Sequence, residues 1–443
     1  MYTAFIGRRL LDLYNIHRRD GPPLSPRQFF DEVFFPLVFD DDRYLMLANN
    51  SKFDQIAKQK KHRDAQERRH ALALFHDDVE TLDEPHGHLY LGGTARKVEA
   101  ATSSQVTNVA IPVSPDEVYL SWIGAAAGIG VKGGLSMLVD ADVVLLALFD
   151  GWLQYRAYMN QLATLKPYQI ETWNGWWLIH CFGNVHRADD PLRDFPNGVQ
   201  DEPGKNNKGQ HAFGTAPWIK VIFALARQGS ADAQISYVYS FGQTNTTIGF
   251  IRLDLPEVSR LPVLYERLFG EHDRHDRENL EAMYETQFGF ATACQQGSIG
   301  LRAIEPKKLR KYMPIRRNPG TLPKTPKKDS DDITFKIYQT WIIAMLNNDD
   351  LLRQTQQAAE ALHAFTLQAK RGKATHKTLV KEVLSSGNSR AFVEALTPIL
   401  EADEDGTNKE LLNELVHSIV KMPAGNIPLF LALLRFKYAY VSA

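Results

Sequence analysis

Ile235–Phe241 (ISYVYSF) and Thr246–Leu253 (TTIGFIRL), joined by Gly242, Gln243, Thr244 and Asn245, read as two β-rich runs about a four-residue turn. β-branched and aromatic residues bounded by Gly and Asn spell a hairpin, the clearest local unit in this chain. It sets the texture of the amino-terminal body. From His88 to Phe250, short β-prone runs such as Glu117–Ile123 alternate with helical patterns such as Trp152–Leu165 and Trp218–Ala226. A hairpin tip of this composition projects amides and hydroxyls, groups that read base edges or hold phosphates. Gln243, Thr244 and Asn245 are therefore candidate motif-reading residues, joined by Gln105 and Asn108 in the polar loop Thr102–Val109.

Upstream, Phe5, Leu10, Leu13 and Tyr14 line one face of a first helix, and Phe29, Phe30, Val33, Phe34 and Leu37 line a second. Ser25, Pro26 and Gln28 mark the second start as a capping box with proline at the first helical position. Lys52–Phe75 reads as one helix with a solvated charged face. Beyond Ser330 the pattern is helix only, over Ile333–Leu346, Leu351–Lys370, Lys377–Leu384, Arg390–Leu400, Lys409–Val420 and Ile427–Tyr440. The fold class expected is α+β: a mixed α/β body over residues 1–300, a connector over 301–330 and a helical bundle over 331–443.

The connector holds the strongest chemical signal. Arg302, Lys307, Lys308, Arg310, Lys311, Arg316, Arg317, Lys324, Lys327 and Lys328 are ten bases in 27 residues, against the single acid Glu305. The chain's net charge of −1 thus hides a segment of +9 set against a remainder of −10. Clustered cations suit a polyanion, because each neutralised phosphate releases counterions. Pro306, Pro314, Pro319, Pro323, Pro326 and Gly320 make the same segment an irregular strap. A solvated linker and a phosphate seat are compatible readings of it.

Gly128, Gly130 and Gly133 match Gly-x-Gly-x-x-Gly, with Lys132 inside the run. A dinucleotide fingerprint needs strand–turn–helix context within a βαβ unit, and this match stands far from the chain start. An ordinary turn, or a glycine loop whose backbone and Lys132 approach a phosphate, fits the spacing better. Trp173, Trp176 and Trp177 suit core packing before base stacking. Histidine pairs at 86/88, 180/186 and 272/275 lack metal-ligand spacing, and no metal or cofactor is expected. Two cysteines, Cys181 and Cys294, exclude a disulfide framework and fit a reducing cytoplasm. No signal peptide or membrane span is expected.

An α/β body, a basic connector and a carboxy-terminal helical bundle without a catalytic constellation resemble the large subunit of Cascade, the type I CRISPR surveillance complex. The likeness is one of layout and covers nearly the whole chain. It implies a non-catalytic subunit that reads the protospacer-adjacent motif and helps open the duplex. Its implied partners are crRNA, double-stranded target DNA, other Cascade subunits and an effector nuclease-helicase. The alternatives are a metal-dependent nuclease or hydrolase using acids and histidines between His180 and His275, and a protein-binding scaffold.

Overall fold

The structure is a computed structural model that describes residues 1–18, 20–48, 50–60, 62–81, 89–92, 112–195, 210–229, 232–240, 246–270, 276–309, 322, 329–368, 375–402 and 409–442. The chain divides into two units, Met1–Val258 with Phe288–Gly300, and Ser259–Gln287 with Leu301–Ala443. The architecture is α+β, with a mixed sheet in the amino-terminal half and helices at the carboxy terminus.

The first unit opens with α1 (Tyr2–His17). Ser25 accepts from the Gln28 amide while the Gln28 side chain accepts from the Ser25 amide, so the expected capping box forms and starts α2 (Pro26–Phe29). A π-helical turn, Phe30–Phe34, carries the chain into α3 (Phe35–Val38). The single helix expected over Lys52–Phe75 is two: α4 (Lys52–Gln59) and α5 (Ala65–Glu80). Asp64 breaks them, because its carboxylate caps the new helix in a capping box with Glu67. Glu117–Ile123 is no strand either. It lies inside α6 (Pro115–Ala126), started by a Ser114–Glu117 capping box with Pro115 at the first position.

Helices α1 and α6 cross at two glycines. A β-carbon on Gly7 would overlap the Leu120 carbonyl, and one on Gly124 would overlap the Thr3 carbonyl and stand 2.8 Å from the Gly7 nitrogen. Backbone therefore lies on backbone, an approach only glycine allows. Downstream come β1 (Ile129–Val131), β2 (Leu135–Val139), α7 (Asp142–Gln161), α8 (Ile170–Cys181), α9 (Trp218–Ala226), β3 (Gln234–Ser240) and β4 (Thr246–Leu253). The expected hairpin is thus β3–β4. The Gly-x-Gly-x-x-Gly run is an antiparallel β1–β2 hairpin rather than strand–turn–helix, which removes the dinucleotide reading.

Helix α10 (Leu255–Phe269) begins in the first unit and ends in the second. Next come α11 (Arg277–Glu281), β5 (Tyr284–Glu285), α12 (Phe290–Cys294), β6 (Ser298–Ile299) and β7 (Glu305–Pro306). The sheet of the first unit runs β1-β2-β3-β4-β6, antiparallel except where β4 meets β6. Asn174, fully buried on α8, is its polar pin: the amide donates to Ala126 O and Gly128 O, each at 2.8 Å, and accepts from the Trp152 indole at 3.1 Å. Every side of that amide is satisfied, as burial demands.

In the second unit, α13 (Asp329–Leu346), α14 (Asp350–Leu367), α15 (Thr375–Ser385), α16 (Ser389–Ala402), α17 (Lys409–Val420) and α18 (Ile427–Val441) form the helical bundle. Helix α18 is buried nearly all round, as its apolar run requires. Among the described residues no single helix is long and apolar enough to cross a membrane.

Gly124→Ala should lower the urea midpoint of the first unit, costing about 1–3 kcal/mol because two backbones must separate. An unchanged midpoint would show that the crossing is looser than described. Lys437 on α18 gives a pH prediction. Burial pushes its ammonium down to about 8, against the attraction of Glu360. The folded value lies below the unfolded one, so the unfolded chain binds the extra proton between them. Stability should therefore rise from about pH 8 towards pH 10.5, by at most about 3 kcal/mol, and Lys437→Met should flatten that rise in denaturant titrations.

Candidate nucleic-acid interface

The structure describes three of the ten tract cations, Arg302, Lys307 and Lys308; the others, Arg310, Lys311, Arg316, Arg317, Lys324, Lys327 and Lys328, lie outside the described residues. Those three emerge from a firm base. Leu301, Ala303, Ile304, Pro306 and Leu309 are buried, whereas Arg302, Lys307 and Lys308 between them are exposed. The Trp341 indole on α13 donates to Ile304 O at 2.6 Å and to Leu301 O at 3.2 Å. A two-stranded sheet then pairs β7 with β5, Tyr284 against Pro306 and Glu285 against Glu305.

The turn that follows is specific. The Lys307 amide donates to Met283 O at 2.8 Å, and Lys308 sits at φ +64° with its amide 3.4 Å from Glu285 Oε1. A lysine in the left-handed region carries strain that the surrounding bonds must hold. No ion pair among the described residues engages the side chains of Arg302, Lys307 or Lys308. The acids beside them are partly occupied elsewhere, since the Gln287 amide donates to Glu305 at 2.6 Å. A fixed backbone with free cationic ends can hold an extended anion.

A second surface lies on the first unit. Lys132 is exposed at the β1–β2 turn, with its amide donating to Ala216 O at 2.8 Å. Gly133 and Gly134, at φ +118° and +77°, make that turn. Gly128 and Gly130 have another purpose: a β-carbon would stand 2.5 Å from Tyr239 Oη at the first and 3.0 Å from Glu171 O at the second. Burial raises the Glu171 carboxyl, opposed by a hydrogen bond with Ser136, and holds the Tyr239 phenol well above its usual value. So the glycine run divides between close packing and a turn.

Gln243, Thr244 and Asn245 lie outside the described residues, as do Gln105 and Asn108. The register nonetheless locates the strand ends. Ser136 pairs with Tyr239 and Ser240 with Thr246, so β3 ends and β4 begins on the sheet end where Lys132 turns. Trp173 and Trp177 are fully buried, and Trp176 donates to Gly214 O at 2.7 Å beneath Lys220; the core reading holds for the first two. The 272/275 histidines lie outside the described residues, while the rings of His180 and His186 meet edge-on at 5.3 Å in a shell with Trp177.

Sequence reading passed over one feature, an aromatic cluster on the open face of β3 and β4. Tyr237 and Phe250 pair across the strands with rings 5.2 Å apart, and Tyr2 of α1 stands 5.3 Å from the one and 5.0 Å from the other. Phe5 stacks on Tyr2 at 5.4 Å. Phe250 is 60% exposed and Phe5 45%. Burial with help from Asp140 pushes the Tyr2 phenol up to about 12, so it stays neutral at physiological pH. Strand pairing alone places Tyr237 beside Phe250; the approach of α1 has no local signal.

The chain matches no protein-family model, and no curated protein matches it.

Trp341→Phe keeps the ring and removes the donor that two buried carbonyls share, at a cost of about 1–3 kcal/mol. Hydrogen exchange at residues 301–308 should accelerate roughly tenfold or more, since about 1.4 kcal/mol corresponds to a factor of ten. Unchanged protection there would mean the tract's base is held by packing alone.

Proposed function

We propose that this chain is a non-catalytic nucleic-acid-binding protein that seats a sugar-phosphate backbone along the basic tract opened by Arg302, Lys307 and Lys308. One observation carries the reading: these cations stand exposed and without carboxylate partners among the described residues, on a backbone fixed by Trp341 and the β5–β7 pair. Several cations elsewhere in the chain do pair. Arg9 binds Asp140 and Asp142, Arg27 binds Glu80, Arg68 binds Asp40 and Lys60 binds Glu67. Arg302, Lys307 and Lys308, exposed at the base of the tract, support a role toward an external anion.

The layout supports a more specific reading, the large subunit of a type I CRISPR surveillance complex. In that role the tract's hold on phosphates supplies position, Lys132 and the amide-bearing loops supply modest motif preference, and guide pairing supplies the remaining specificity. Its partners are crRNA, double-stranded target DNA, other Cascade subunits and an effector nuclease-helicase, in the cytoplasm. A small RNA of uniform length travelling with the protein at moderate salt supports this; protein partners without RNA oppose it.

Arg302→Glu, Lys307→Glu and Lys308→Glu together should weaken duplex binding equally across sequences. The slope of log affinity against log salt should shrink by roughly 0.9 for each phosphate that the variant no longer neutralises. A salt titration with unaltered slope would place the anion elsewhere or nowhere.

A further inference from the structure

We propose that the cavity between α1 and α7 binds a small carboxylate with an apolar body, and that Arg18 holds the carboxylate group. The site lies within the first unit and is independent of the nucleic-acid reading. Leu10 and Leu13 of α1, with Leu145, Leu146 and Phe149 of α7, line a space of about 210 Å³. Tyr14 completes the wall, its ring meeting Phe149 at 5.4 Å and Phe29 at 4.9 Å, both edge to face. An apolar cavity of about 150 Å³ holds a benzene ring, so this one has room for a ring with a short arm.

Charge specifies the other end of the ligand. Arg18 belongs to the lining, with His17 beside it, and among the described residues no acid lines the cavity. The guanidinium makes no hydrogen bond or ion pair among those residues, and its Nη1 is shut off from water without an acceptor. A buried donor left unanswered is unfavourable, and a carboxylate is the acceptor that a planar fork fits best. Gly21, at φ +90°, leaves space beside that fork: a β-carbon there would stand 3.3 Å from Nη2. The acids next along the chain, Asp12, Asp20 and Asp150, are exposed, and the charge of Asp150 acts on the Cys181 thiol of α8. The carboxyl end of α1 presents about half a negative charge against the full positive charge of the guanidinium. Its Leu13 O and Tyr14 O already accept from His17 Nδ1 and the Arg18 amide. An apolar hole alone would take any hydrophobic group; the unanswered guanidinium selects an acid.

The full chain is titrated calorimetrically with 3-phenylpropionate and with its neutral match, 3-phenylpropionamide. The carboxylate should bind with a dissociation constant of roughly 0.1–3 mM, as about eleven non-hydrogen atoms allow, and the amide roughly tenfold more weakly. Arg18→Gln should bring the carboxylate's affinity down to the amide's and leave the amide's unchanged, while Arg18→Lys recovers part of the loss. Leu146→Trp, filling the cavity from a half-buried position, should abolish binding of both probes. Carboxylate binding undiminished in Arg18→Gln overturns the proposal, and so does carboxylate binding undiminished in Leu146→Trp. Equal affinity of the parent for the two probes also overturns it, and makes the cavity a seat for an apolar side chain of a partner protein. A parent chain that binds no 3-phenylpropionate at about 10 mM overturns it outright. None of these outcomes bears on the basic tract.

Discussion

Gly7 and Gly124 let α1 and α6 meet backbone to backbone, and the first unit is arranged around that contact. Glycine within a helix costs about 0.5–1 kcal/mol relative to alanine, so two such residues need a return. The return is closeness. With no side chains between them, α1 is held where Thr3 donates to Leu91 O at 2.6 Å and Arg9 reaches Asp140 and Asp142 beyond β2. The same placement sets Tyr2 against Tyr237 and Phe250. A surface feature thus depends on a buried steric allowance.

Much of the fold was legible because its signals are local. The helices of the bundle follow their apolar spacing and glycine punctuation to within a few residues, and the Ser25 capping box starts α2 as read. Ser114, Pro115 and Glu117 carry nearly the same signal, yet β-prone Val118, Tyr119, Leu120 and Ile123 drew the segment towards a strand. Tertiary burial explains the conflict. Val118 through Ala126 are all buried, so the helix shows no amphipathic period by which to recognise it. Asp64 lies inside the stretch that reads as one helix, yet its carboxylate begins a new one.

The candidate site was legible in composition and silent in geometry. Ten cations can be counted, but that Leu301 and Ile304 carbonyls share one indole depends on Trp341, about forty residues away. The aromatic cluster was missed for a related reason. Phe5 reads as part of a helix face with Leu10, Leu13 and Tyr14, Tyr237 and Phe250 read as strand positions, and nothing local joins residues 2 and 250.

Apart from its surface ion pairs, positive charge in this chain shows two physically different settings. Arg156 is mostly buried and donates to Leu37 O, Val38 O and Arg43 O at 2.9–3.2 Å, where α3 ends; burial lowers its pKa and Asp41 at 3.5 Å opposes that. Arg435 is 3% exposed and donates to Leu384 O and Ser386 O, where α15 ends. Each satisfies carbonyls that a helix terminus leaves without donors and sits at the negative end of the helix dipole. A buried guanidinium is costly unless its fork is filled, so such cations have little freedom to act outwards. The cations of the tract's base are the converse: their backbones are fixed by Trp341 and β5, and their charged ends are left in water. Desolvating an exposed cation against a phosphate costs far less than extracting one from a filled fork. Arg302, Lys307 and Lys308, unlike the buried arginines, thus keep their charged ends open to solvent.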